Sequence, residues 1–211
     1  TLYVEVFVHL ASVRYTVATY VSRMVLDQVL QKRLGSPWLR WHEGSLLFAD
    51  LSGSTALADS LGAMGREGIE RVTDFLNEIF TSLIDIILKH GGDLLAFGGD
   101  ALLVFFNDQQ HAQTALHAAQ ALQQAMHGKS YTAPGFDSFP MHLHIGIESG
   151  PVAFVSAGAA HALYYSALGA TVNRVALAEA HANAGEIVLG PSSYAQLNTT
   201  LQTTEVMAGY R

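Results

Sequence analysis

Two carboxylates stand where apolar runs break off, and no other residues in this chain are better placed to do chemistry. Asp50 follows Leu46-Leu47-Phe48-Ala49 and precedes Leu51-Ser52-Gly53-Ser54-Thr55. Asp100 lies in Gly91-Gly92-Asp93-Leu94-Leu95-Ala96-Phe97-Gly98-Gly99-Asp100-Ala101-Leu102-Leu103-Val104-Phe105-Phe106. Each alone is ordinary. An Asp before Ser-Gly-Ser-Thr suits a turn or a helix N-cap, and an Asp after Gly-Gly suits a turn. The pair is more specific, because carboxylates at adjacent strand ends repel each other unless a cation intervenes. Two convergent carboxylates are hard oxygen ligands of the kind Mg²⁺ and a polyphosphate need. Gly53, Ser54 and Thr55 form a tight turn at a helix start, where backbone N–H groups can cradle phosphates.

The surrounding elements must bring the two aspartates together. Leu46 to Ala49 reads as a short buried strand, and Ser52 to Thr55 as a turn with helix-capping residues. From Arg66 to His90, Ile69, Val72, Leu76, Ile79, Leu83 and Ile87 recur at three- and four-residue steps, which predicts a long helix ended by Gly91. A hairpin follows, with Leu94 to Phe97 and Ala101 to Phe106 flanking Gly98-Gly99. Residues 110–126 read as helix and 128–140 as loop. Met141 to Ser149 and Val152 to Val155 read as a second hairpin turning at Gly150-Pro151. Thr171 to Ala182 reads as helix, Ile187 to Leu189 as strand, and Pro191 opens a short last helix. Upstream, residues 1–8 alternate like a strand and 16–34 carry a weak amphipathic helix. The order predicts an α+β sandwich: a ferredoxin-like βαββαβ core, helices on one face of a mostly antiparallel sheet, and extra terminal elements.

Composition narrows the function classes. With 211 residues, 50% of them hydrophobic, the chain can bury one sizeable core. A net charge of −7 argues against a protein held to nucleic acid by phosphate contacts. No cysteine is present, which excludes disulfides, thiol catalysis and cysteine metal sites. No apolar run reaches the roughly 18 residues a membrane span requires. No basic leader precedes residues 1–8, so a cytoplasmic location is expected. The chain begins at Thr1 without an initiator Met and reads as a piece of something longer. Ten histidines are present but no His-Glu-x-x-His pattern, so scattered surface positions are the plain reading over a zinc site.

Four ordered segments carry a family resemblance. Phe48 to Thr55 resembles the first metal motif of the class III adenylyl/guanylyl cyclases, and Gly91 to Phe106 resembles their second. His144-Ile145-Gly146-Ile147-Glu148-Ser149-Gly150-Pro151-Val152 and Leu168-Gly169-Ala170-Thr171-Val172-Asn173 match two further segments. The resemblance spans about residues 44–197 and leans toward the first catalytic domain of soluble adenylyl cyclases. It divides the chain into an extension over 1–43 and a catalytic domain over 44–211. It implies that Asp50, Asp100 and the Leu51 carbonyl hold two ions of Mg²⁺ or Mn²⁺. It further implies that Ser52, Gly53, Ser54, Thr55 and Gly99 line the nucleotide, that His144 lies near its phosphates, and that Asn173 is catalytic. In such enzymes two domains pair head to tail, the ribose 3′-hydroxyl attacks the α-phosphate, and pyrophosphate leaves.

The departures form a pattern. Ala96 stands where the family places a purine-reading Lys, Ser166 where it places the partner base-reading residue, and Leu177 where it places the transition-state Arg. Arg174 is the nearest cation that could stand in for that Arg. Metal ligands are kept while the complementary set is lost apart from Asn173. The chain therefore reads as the metal-supplying half of an adenylate cyclase, with ATP favoured over GTP and a complementary domain in the same or another chain. Two alternatives stand beside this one. The first is a degenerate domain that binds nucleotide or an effector and regulates something attached. The second is a diguanylate-cyclase-like domain suggested by Gly98-Gly99-Asp100-Ala101-Leu102, against which the missing acid at Ala101 speaks.

Overall fold

A computed structural model describes residues 22–30, 37–132, 138–159, 162–197 and 201–211. The strand signal over 1–8 lies outside the described residues, as does much of the 16–34 helix, of which α1 (Arg23–Leu30) is described.

The centre of the molecule is a pair of long antiparallel strands, β1 (Trp38–Ser52) and β6 (His142–Ala159). Between them run α2 (Ser54–Gly62), α3 (Arg66–Lys89), β2 (Asp93–Gly98), β3 (Ala101–Phe106), α4 (His111–Met126) and a two-stranded flap, β4 (Ser130–Tyr131) with β5 (Phe139–Pro140). After β6 come β7 (Ala162–Leu168), α5 (Ala170–Ala180), β8 (Ile187–Leu189) and α6 (Pro191–Gln196). The sheet order is β2-β3-β1-β6-β7, with β8 parallel to β6 at Ile145–Ile147. The ferredoxin-like core is there: β1, α3, β2, β3, α4 and β6, with antiparallel pairing throughout that core.

Several local expectations are corrected. The strand read as Leu46–Ala49 is fifteen residues long, and it runs unbroken through residues 43 and 44. Gly150-Pro151 is no turn: β6 continues through it, with Gly150 opposite Gly44 and Pro151 opposite Glu43. A proline is tolerated there because β8 pairs with β6 only up to Ile147 and β7 only from Ala153, so one side of β6 is open. β7 was not read from the sequence. Around Ser52–Thr55 no side chain caps α2. Its N-cap is Gly53 at φ 97°, and a Cβ there would strike the Pro140 carbonyl.

The helices do not share one face. Alternation along β1 sends Leu47, Ala49 and Leu51 to a first core with Leu57 and Leu61 of α2, Val72, Ile79, Leu83 and Ile87 of α3, and α4. Ile69, read as part of that apolar stripe, is 58% exposed. The even-numbered residues Leu46 and Phe48 face the other way. There they meet Phe105, Val152, Phe154, Val172 and Val175 of α5, and Met24 of α1. The second face thus carries α1 and α5, and Asp50 lies on it.

Candidate active site

Asp50 and Asp100 converge through β3. Asp50 pairs with Ala101, the first residue of β3, and Asp100 occupies the two-residue turn just before it. Two details differ from the sequence reading. Asp100 is a turn residue beside Gly99 at φ 76°, not a strand end, and Asp50 lies two residues inside β1. The strands β1 and β2 are also not neighbours, since β3 lies between them. The expected meeting nevertheless occurs. Asp50 is pushed above its ordinary value by burial first, then by the charge of nearby Asp100. His144 and the Leu51 backbone N–H act in the opposite direction.

Ser54 ties the corner together. Its hydroxyl donates to Asp100 Oδ2 at 2.5 Å, with the Leu51 carbonyl 3.1 Å away as a second acceptor. Ser54 is 5% exposed, so it is a fixed part of the corner. Ser52 turns elsewhere, donating to the His142 carbonyl at 3.3 Å. Thr55 is exposed in the first turn of α2, whose leading N–H groups lack a side-chain cap. His144 is the direct cross-strand partner of Asp50 and donates from Nδ1 to the Ala182 carbonyl at 2.8 Å.

Other expected residues do not join this group. Asn173 is exposed on α5. It lies six residues before Glu179, about 9 Å along the helix axis. Arg174 does not reach the aspartates. Its Nη1 lies 4.0 Å from Oε1 of Glu148, a fully buried carboxylate four residues along β6 from His144. Leu177 is 41% exposed, so the position of the missing Arg faces water. Ala96 and Ser166 are both exposed, and register places them on opposite faces of the sheet. The sequence reading missed Glu179. Its carboxyl is held up by burial first and then by Asp50, and His144 opposes both. Its position two residues beyond Leu177 gave no periodic or motif signal.

The donor set suits a hard divalent cation. Two convergent carboxylates, together with the Leu51 carbonyl at the same corner, are oxygen donors of the kind Mg²⁺ or Mn²⁺ accept. Among the described residues no cluster of three or more His, Cys, Asp or Glu side chains forms a metal site by itself.

Fold and site together define a nucleotidyl cyclase domain. The family model for the adenylate and guanylate cyclase catalytic domain matches residues 40–209, and the chain belongs to that family. It is 25% identical over 162 residues to adenylate cyclase type 10 of Homo sapiens, covering 75% of this chain and 10% of that protein. It is 26% identical over 166 residues to adenylate cyclase 1 of Rhizobium meliloti (strain 1021), covering 75% of this chain and 24% of that protein. The chain thus spans about a tenth of the length of the human relative. The crystal structure of the adenylyl cyclase CyaB from P. aeruginosa superposes with a TM-score of 0.62 at 26% identity, covering 75% of this chain and 82% of that one.

Proposed function

We propose that this chain is the metal-supplying half of an adenylate cyclase. It converts ATP to 3′,5′-cyclic AMP and pyrophosphate when a complementary cyclase domain, in the same or another chain, docks on it. The observation that carries this is the convergence of Asp50 and Asp100 at the start of β3, with Asp100 braced by the buried Ser54 hydroxyl. The named adenylate cyclases among its relatives support ATP over GTP.

In this mechanism Asp50, Asp100 and the Leu51 carbonyl hold the cations. Two bound Mg²⁺ or Mn²⁺ ions would lower the pKa of the 3′-hydroxyl and neutralise the leaving pyrophosphate. The leading N–H groups of α2, which no side chain caps, and His144, the cross-strand partner of Asp50, would serve the triphosphate. Gly99, with open space where a side chain would begin, keeps its turn accessible to the substrate. What the chain lacks is the set that grips the purine and the transition state: Ala96, Ser166 and Leu177 offer no charge. Asn173, exposed on α5 six residues before Glu179, is assigned to the other site of a head-to-tail pair. A missing transition-state cation costs about 3–4 kcal/mol, roughly 10²- to 10³-fold in rate.

The test mixes the purified chain with a cyclase domain that bears the Lys, Asn and Arg but lacks the metal aspartates. Cyclic AMP formation should rise at least a hundredfold over either component, about the rate factor above, and vanish with Asp50→Ala. Vigorous turnover by the 211-residue chain alone, or no gain on mixing, would refute the assignment.

A further inference from the structure

α5 brings a third carboxylate, that of Glu179, near Asp50. At Gly146 the helix and β6 meet backbone to backbone. A Cβ on Gly146 would lie 2.5 Å from the Val175 carbonyl oxygen and 2.9 Å from Glu179 Cα, and would also strike the Glu179 N–H. Gly146 and His144 lie on the same face of β6, two residues apart, and His144 is opposite Asp50. Three residues beyond Glu179, the Ala182 carbonyl takes the hydrogen bond from His144 Nδ1. Glu179 is therefore held from both sides: its backbone is seated over Gly146, and the chain that follows is tied to His144. Its carboxylate interacts electrostatically with both Asp50 and His144.

The charge balance at this corner is lopsided. Asp50, Asp100 and Glu179 are acidic, and His144 is the basic side chain that acts on Asp50 and Glu179. Arg174, the cation of α5, is drawn off toward Glu148. Glu179 forms no three-member ligand cluster with the aspartates, so it acts at a distance.

We propose, resting on the metal-holding role given above, that Glu179 is a positioning residue of the cation centre, drawing a divalent ion onto Asp50 and Asp100 by its charge without ligating it. The third carboxylate raises the local cation concentration and favours the ion-filled arrangement of the pair. It also gives α5 a role in this site that does not depend on an Arg at position 177.

Mn²⁺ binding to the full chain, followed by electron paramagnetic resonance at low ionic strength, tests this without turnover. Glu179→Gln should bind Mn²⁺ about fivefold more weakly than the parent. The difference should shrink at about 0.5 M salt, because a charge acting through solvent is screened. Glu179→Asp keeps the charge and should restore most of the affinity. A Gln variant within twofold of the parent, while Asp50→Ala loses binding, overturns the proposal alone. So does a weakening that ignores salt and is not rescued by Asp. Parent-like binding by Asp50→Ala overturns the metal-holding role itself.

Discussion

Replacing Gly146 with alanine tests whether the seat of α5 governs both stability and the cation centre. The added methyl carbon would lie 2.5 Å from the Val175 carbonyl oxygen, where ordinary contact begins at 3.4 Å. The obstacles are helix backbone, so no side-chain rotation relieves them, and α5 must lift by about 1 Å. That displacement stretches the 2.8 Å bond from His144 to Ala182 past hydrogen-bonding range. Overpacking costs about 1–3 kcal/mol, and the lost bond adds about 1 kcal/mol. At this chain length the melting temperature should fall by about 5–15 °C. Urea denaturation gives the free energy directly, and Mn²⁺ titration of the same variant should show weakened binding as Glu179 and His144 withdraw. A stability change under about 0.5 kcal/mol, the scatter of a neutral surface change, would show that α5 is not clamped as described.

Two further outcomes follow from buried charge. Asp50, Asp93 and Glu179 are all held above their ordinary values, each mainly by burial, so the folded state keeps its protons longer than the unfolded one. Their contribution is fully present below the unfolded values of 3.8 and 4.5 and is lost as pH rises through the folded ones. The metal-free chain should therefore lose stability from these groups as pH climbs above about 4, and Asp50→Asn should flatten that slope in denaturation curves; an unchanged slope would count against the acidic pair. Glu148 is fully buried with neither oxygen hydrogen-bonded, and Arg174 stands 4.0 Å off. Glu148→Leu should raise stability by about 1–4 kcal/mol in thermal melts, whereas Arg174→Met should lower it by leaving the carboxylate alone.

The legible parts of the site were those written in contiguous residues. The Asp50 and Asp100 motifs, the long helix α3 and the Gly98–Asp100 hairpin all express local rules: apolar periodicity, glycine at turns, carboxylates at chain reversals. The βαββαβ order was readable for the same reason, because each connection is short and each element has its own period. Where a local rule was outvoted, the sequence misled. Gly150-Pro151 carries a strong turn signal, yet fifteen register pairs with β1 carry β6 straight through it. Pairing with a long partner outweighs the preference of two residues.

Sequence alone thus pointed to the proposed chemistry, since carboxylates and glycine-containing turns are properties of residue type and spacing. It also determined what is lacking, because Ala96, Ser166 and Leu177 can bear no charge in any fold. Only the tertiary structure decided which face of the sheet holds Asp50, that α5 covers that face, and that Glu179 and His144 stand near Asp50 while Arg174 is held toward Glu148. Those facts depend on strand register and on one glycine that lets a helix touch a strand. Both are long-range outcomes of packing, and no window of neighbouring residues encodes them.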